Sequence, residues 1–367
     1  MTLNGLRIAL VGPLPPPEGG MANQTRQLGE LLQREGAQVR LVQVNAPYWP
    51  GWIGRLRGIR ALFRLLPYLA ELWRVTRRAD VVHIMANSGW SWHLAAAPAV
   101  WIAGFHGIPS IVNYRGGEAE AFLERSGALV LKTLRQASAL VVPSGFLQQV
   151  FARRGLRSDI VPNIIDTERF QPRGTAQNAC VHLIVARALE AIYDVGTALR
   201  AFALIRSQFP GAKLTVAGTG PEESALRALA SRLGIAGAVD FCGRLDREQM
   251  AALYRSASVA VNPSRVDNMP NSVLEAMASA VPVVSTDVGG IPFIVRHGVT
   301  GLLVPPGKPE AMAAALRRVL QHAQLAEQLR AAALAEVQQY TWARVRQHWA
   351  AVYAAARCGT AGQARPA

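Results

Sequence analysis

The residues best equipped for chemistry lie in Asn262-Pro263-Ser264-Arg265-Val266-Asp267-Asn268-Met269-Pro270-Asn271-Ser272-Val273-Leu274-Glu275. Asp267 and Glu275 place two carboxylates across one turn of chain. The apolar run Ser258–Val261 before them reads as a buried strand, and Asn271 to Ser279 after them reads as a helix. α/β proteins hold ligands at such strand-to-helix turns, outside the carboxyl ends of parallel strands and at the positive ends of helices. Carboxylates accept hydrogen bonds from hydroxyls, and free backbone N–H groups donate to phosphates. A nucleotide sugar offers both. The plainer alternative is a helix cap with a solvated helix face: Asn271 is a good N-cap residue, whereas Glu275 misses the capping-box spacing. Pro263, Pro270 and their small neighbours hold backbone open, which favours a site.

Other turns repeat the pattern. After the first apolar run comes Gly12-Pro13-Leu14-Pro15-Pro16-Pro17-Glu18-Gly19-Gly20-Met21, where Gly19 and Gly20 allow close backbone approach to an anion at a helix start. It lacks the GxGxxG fingerprint. Arg187 ends the run Val181–Ala186; a guanidinium there can clamp a diphosphate bidentately or pair with Glu190 in the same loop. Gly218-Thr219-Gly220-Pro221-Glu222 either shapes a site wall or turns the chain. Gly289-Gly290-Ile291-Pro292 could present N–H groups to a sugar or phosphate. His83 and His182 lie inside strand-like runs and read as core. Neither metal-ligand spacing nor a GxSxG elbow occurs, so no metal is expected.

Twelve apolar runs alternate with helix-length patterns. Six precede residue 170, at Arg7–Val11, Gln38–Val44, Asp80–Met85, Ser110–Tyr114, Ala139–Pro143 and Ser158–Val161. Six follow, at Val181–Val185, Lys213–Val216, Val239–Phe241, Ser258–Val261, Val281–Val284 and Gly301–Val304. This alternation predicts two doubly wound domains with parallel sheets. Helices are expected at Gln24–Arg34, Asp194–Gln208, Glu222–Leu233, Arg247–Ser256 and Pro309–Gln339, with a last one ending near Arg357. A polar, Pro- and Gly-containing stretch, Phe170 to Asn178, reads as the linker. The domains then span 1–170 and 171–340, a returning helix 341–357, and a disordered tail 358–367.

A chain of 367 residues, half of them hydrophobic, can fill two cores. Cys180, Cys242 and Cys358 are far apart, which points to a reducing compartment. The N-terminus runs into a strand without a recognisable signal peptide. Val81 to Tyr114 carries no Asp, Glu, Lys or Arg, but Pro and Gly interrupt it, so it reads as strand, buried helix, strand rather than a membrane span. The formal charge of +15 implies anionic partners. No aromatic-basic pattern of a nucleic-acid module is present, so nucleic acid is not expected. Ile53 to Arg78 is basic and apolar together. Leu56, Ile59, Phe63 and Leu66 share one helix spacing, flanked by Arg57, Arg60 and Arg64, with Pro67 expected to split the segment. It suits an anionic membrane surface, or a helix packed on the sheet with snorkelling arginines; Tyr68 to Arg78 reads as core.

The chain resembles the GT-B glycosyltransferases, close to glycosyltransferase family 4. The resemblance rests on Val142-Pro143-Ser144, Val161 to Asp166 with Phe170, Ala186-Arg187-Ala188-Leu189, Leu214 to Pro221, Phe241 to Leu245, the carboxylate-x7-Glu pattern of Asp267 to Glu275, and Gly289 to Pro292. It implies two Rossmann-like domains facing across a cleft, donor on the C-terminal one, acceptor on the N-terminal one, and a C-terminal helix crossing back. It also implies roles. Glu275 would bind ribose hydroxyls; Asp267, Asn268, Met269, Asn271 and Ser272 would contact sugar and diphosphate; Arg187, Gly19 and Gly20 would hold the diphosphate; Gly218, Gly243, Arg244 and Leu245 would lie near the base. Arg115 stands where the family has a catalytic histidine and could steady an anion but not act as a base. Tyr193 replaces a usual lysine, Asp267 a commoner Glu, and Phe293 an acidic residue. The expected activity is retaining, metal-independent and cofactor-free transfer from a UDP- or GDP-sugar to a glycan or lipid-linked acceptor. Cell-surface or exopolysaccharide synthesis, on the cytoplasmic face of the membrane, would be its setting. A nucleotide-sugar binding subunit with little catalysis and a GT-B epimerase are the alternatives.

Overall fold

The computed structural model describes residues 3–16, 19–48, 52, 60–172 and 180–359. The chain folds as two compact units, one of residues 1–164 with 342–367, the other of residues 165–341. The first contains β1 (Arg7–Gly12), α1 (Gly20–Arg34), β2 (Gln38–Gln43), α2 (Arg60–Thr76), β3 (Val81–Ala86), α3 (Ala97–Phe105), β4 (Ser110–Tyr114), α4 (Ala119–Gln136), β5 (Ala139–Val142), α5 (Gly145–Ala152) and β6 (Asp159–Ile160). The second contains β7 (His182–Ala186), α6 (Val195–Ile205), β8 (Lys213–Ala217), α7 (Glu223–Arg232), β9 (Val239–Gly243), α8 (Arg247–Ser256), β10 (Val259–Asn262), α9 (Asn271–Ala278), β11 (Val283–Thr286), β12 (Leu302–Val304), α10 (Pro309–Gln321) and α11 (Ala323–Val337). The last helix, α12 (Trp342–Arg357), belongs to the first unit.

Each unit has one six-stranded parallel sheet, ordered β2-β1-β3-β4-β5-β6 and β12-β11-β10-β7-β8-β9. Every apolar run named above forms a strand. Both faces of the inner strands are covered, so these read as continuous apolar runs rather than alternations, whereas the edge strands β2, β6 and β9 keep exposed or half-buried residues. In β1, Ala9 and Val11 face a core with Tyr68, Leu72, Val100 and Phe122, while Ile8 and Leu10 face Leu28, Leu32, Trp349 and Tyr353. The second sheet is clothed likewise by α6, α7 and α10 on one face and α8, α9 and α11 on the other.

Several expectations need correction. The first unit ends at Ile164, not 170. Phe170 is buried in the second unit's core, its ring 5.9 Å from that of Tyr254; residues 173–179 of the expected linker lie outside the described residues. The helix expected over Pro309–Gln339 is two, broken at His322, whose φ/ψ of −113°/88° is not helical. Pro67 lies inside α2 without splitting it. It sits on the exposed side, where solvent can meet the backbone carbonyl that its missing N–H leaves. Helix α3, expected to be buried, exposes Trp101 and Phe105. Only Cys358 and Gly359 of the expected tail are described, and residues 53–59 of the expected interfacial segment are not. No helix among the described residues is long and apolar enough to cross a membrane.

Candidate active site

In the second sheet the chain starts at β7, proceeds outward through β8 and β9, then returns to β10 on the other side of β7. The connections after β7 and β10 therefore leave the sheet in opposite directions, opening a crevice between their carboxyl ends, where open α/β sheets bind ligands. Arg187 follows β7 directly. Asp267 lies in the connection from β10 to α9. Their side chains meet in an ion pair of 2.6 Å, each only 10% exposed.

The arginine is held from several directions. Its guanidinium stacks over the Tyr193 ring, 4.0 Å from the centroid, and Nη1 donates to Ser272 Oγ at 3.4 Å. Its Nε is buried with no hydrogen-bond partner among the described residues. The backbone behind it is equally constrained. Gly218 adopts φ +148°, and a Cβ there would lie 1.9 Å from the Arg187 carbonyl oxygen. The Arg187 N–H donates to Ala217 O at 3.0 Å and the Leu189 N–H to Thr219 O at 3.1 Å. The glycine turn thus backs the arginine loop. On the far side, a Cβ on Gly290 would come within 2.0 Å of the Asn268 carbonyl oxygen, and the Gly290 N–H donates to Asp267 O at 3.2 Å. This packing keeps the Asp267 loop in place.

Glu275 lies one turn into α9. Burial pushes its carboxyl up to about 7, against the opposing pull of a hydrogen bond from Tyr254 and the charges of Arg247 and Arg187. The Tyr254 hydroxyl also lies 2.9 Å from Ser272 O, so its single proton serves either that carbonyl or Glu275, and α8 meets the first turn of α9. That turn carries no side-chain cap: its N-cap is Pro270, not Asn271 as the sequence suggested.

The expected donor-binding residues divide. Arg187, Asp267, Ser272 and Glu275 come together. Asn268 is buried behind them, its N–H donating to Asp267 Oδ1 at 3.1 Å. The Met269 side chain packs into the core, so only its backbone is placed to meet a ligand. Gly243 accepts from the Gly218 N–H at 2.7 Å, the exposed Arg244 reaches Thr219 Oγ1 at 3.5 Å, and Leu245 is half-buried beside them. Arg187 pairs with Asp267, not Glu190. Tyr254 and Arg247 escaped the sequence reading; both sit on α8, and no local spacing links them to Glu275.

The remaining candidates belong to the first unit. Gly19 is the N-cap of α1, in extended backbone without a side-chain cap, and a Cβ on it would meet open space. Gly20 begins the helix. Arg115 follows β4; its Nε donates to Asn113 Oδ1 at 3.2 Å and Nη1 to Asn163 Oδ1. Burial lowers the Arg115 pKa to about 10, which leaves it charged at neutral pH. Asn113 Nδ2 lies 3.1 Å from His83 Nε2, and His83 Nδ1 lies 2.7 Å from the Tyr353 hydroxyl. Burial, with the Arg115 charge, drops His83 to about 3, so that ring is neutral. No group of three or more His, Cys, Asp or Glu that could hold a metal occurs among the described residues.

Two family models match the chain, Glycosyltransferase Family 4 over residues 18–169 and Glycosyl transferases group 1 over residues 180–322. A glycogen synthase of Mycobacterium tuberculosis is 30% identical over 297 residues, covering 77% of this chain and 70% of that protein. The chain belongs to the group 1 glycosyltransferases. A D-inositol 3-phosphate glycosyltransferase of Streptomyces griseus is 35% identical over 192 residues, 50% of this chain and 40% of that protein. The crystal structure of Anabaena HepE in complex with UDP and glucose has a TM-score of 0.76 at 17% identity, covering 95% of this chain and 99% of that one. The fold is accordingly of the GT-B type. Tyr193 lies under the arginine as an aromatic support.

Proposed function

We propose that this group 1 glycosyltransferase is a retaining enzyme that transfers a sugar from a UDP- or GDP-sugar to a glycan or lipid-linked acceptor, in cell-surface or exopolysaccharide synthesis. The observation that carries the reading is the Arg187–Asp267 pair at the switch point of the second sheet, beside an uncapped helix start and Glu275. The Nε of Arg187 is a buried donor without a partner among the described residues, and buried donors call for acceptors. A departing diphosphate supplies them, and preorganised donors at developing charge lower the barrier. Asp267 and the backbone to Ser272 are suited to the sugar and diphosphate, and Glu275 to the ribose hydroxyls. The base side would lie along Gly218, Gly243, Arg244 and Leu245. On the first unit, Gly19 and Gly20 would offer backbone N–H groups to an anion at the start of α1, and Arg115 would steady an anion at the end of β4. With no side chain in the role of base, a leaving-group phosphate oxygen can take the acceptor proton. No metal enters this scheme.

The test is release of nucleotide from UDP- and GDP-sugars by the purified protein, with and without added divalent metal. Glu275→Ala should weaken donor binding by about 10- to 100-fold, the equivalent of one hydrogen bond to a charged group. Unchanged affinity would remove the ribose role. A second reading, a nucleotide-sugar binding subunit with little turnover, is favoured by Tyr193 standing where a cation is usual. Tight donor binding without product over a broad acceptor panel would select it. A donor converted in the absence of any acceptor would instead indicate an epimerase.

A further inference from the structure

The first unit carries an exposed apolar face that neither its core nor the transfer reaction uses. Along α2, Phe63, Leu66, Pro67 and Trp73 are exposed, Leu66 at 63%, while Tyr68 and Leu72 on the opposite side are buried in the core. Helix α3 lies against α2 and exposes Trp101 and Phe105, the latter at 74%. The two helices are joined at the surface by Trp73, whose ring centroid lies 5.0 Å from that of Phe105 and 4.3 Å from that of His106. The face is therefore continuous over two helices. Scattered single apolar residues need no explanation, but a contiguous set does.

Charge says what covers it. The end of α2 and the turn after it add the exposed Arg74, Arg77 and Arg78. On the side away from α3, α2 borders a cavity of about 640 Å³ lined by Arg7, Arg40, Arg74 and Arg78 with one carboxylate, Glu71; Asp80 pairs with Arg7 at 2.6 Å. The surface thus runs from aromatic to arginine-rich, in a chain of net charge +15. A second copy of the chain meeting this face across a two-fold axis would bring like charges together. A bilayer bearing anionic headgroups offers the complement: an interfacial layer that takes Trp and Phe, and phosphates for the arginines.

We propose that the α2–α3 face docks on an anionic phospholipid surface, Leu66, Trp101 and Phe105 entering the interface and the arginines in and beside the α2 cavity binding lipid phosphate. This places the contact on two helices, not on Ile53 to Arg78 alone, and includes the stretch from Tyr68 that the sequence assigned to core. The docking does not depend on the transfer reaction, and its readout contains no donor or acceptor.

Sedimentation with vesicles tests it. Wild-type protein should bind phosphatidylcholine vesicles containing about 30% phosphatidylglycerol roughly 10-fold more than pure phosphatidylcholine, and less in high salt. Leu66→Ser/Trp101→Ser/Phe105→Ser should lower binding to the anionic vesicles roughly 10-fold at an unchanged Tm. Arg74→Glu/Arg78→Glu should abolish the preference for them. Brominated acyl chains should quench tryptophan fluorescence in the wild type and less in the triple variant. The proposal is overturned if the wild type ignores anionic vesicles, or if both variants bind them as the wild type does, since the charge elsewhere would then suffice. A solution dimer that the triple variant converts to monomer would assign the face to a second copy and equally overturn it.

Discussion

Arg187 and Arg115 each follow a strand at its carboxyl end, one in each unit, yet their surroundings differ in kind. Arg187 meets a carboxylate at 2.6 Å, rests on an aromatic ring and keeps one buried donor without a partner among the described residues. Arg115 is tied to the amide oxygens of Asn113 and Asn163, and a neutral histidine lies behind it. The first arrangement holds a charge in place and leaves hydrogen-bonding capacity over. The second surrounds a buried charge with dipoles and accepts a lowered pKa in return. Position at a strand end is thus common to both, and the partners decide what each can do.

The sharpest way to break this contrast is to remove each arginine. Arg187→Ala leaves Asp267, only 10% exposed, as an uncompensated carboxylate, so unfolding free energy should fall by about 3–5 kcal/mol, and sugar transfer by two orders of magnitude or more. Arg115→Ala strips the Asn113 and Asn163 amide oxygens of a donor and should cost about 1–3 kcal/mol. Urea denaturation of the two variants side by side measures the difference; equal losses would erase the distinction.

Glu275 gives a smaller, pH-dependent effect. Its folded pKa of about 7 lies above its ordinary 4.5, so the folded protein holds the proton more tightly than the unfolded chain. Its contribution is full below pH 4.5 and is lost as pH rises through about 7. Glu275→Gln should flatten the fall of Tm across that window. If the ionised carboxylate accepts the ribose hydroxyls, wild-type donor affinity should rise between roughly pH 6 and 8, as titration calorimetry can follow. A flat affinity profile would detach the titration from binding. The smallest effect belongs to Tyr193. Tyr193→Leu removes a cation–π contact of about 0.5–2 kcal/mol and should weaken donor binding only severalfold; a larger loss would give the ring a direct role.

What could be read in advance follows the same division. The twelve strands were legible because inner strands covered on both faces must be short apolar runs between breakers, and the edge strands follow in the same alternation with helices. Arg187 and Asp267 were each legible as candidates because each lies in a turn that follows a strand; that the two pair with each other was not. Tyr254 and the stacking of Tyr193 were not, since α8 and the turn before α6 meet them only in space. The exposure of α3 was hidden for another reason: in a wholly apolar helix, nothing in the spacing says which side the core takes. The α10–α11 break was hidden because Pro309–Gln339 holds no internal Pro or Gly to announce it.

The place of α12 has a consequence for synthesis. Residues 165–341 form a contiguous unit, whereas the first unit lacks Val345, Trp349 and Tyr353 until the ribosome has passed α12. The later-encoded unit can therefore reach its native state first, while the earlier one holds one face of its sheet, with Ile8 and Leu10, open until α12 emerges. A premature stop before codon 342 would release a chain with a finished second half and a permanently uncovered first one.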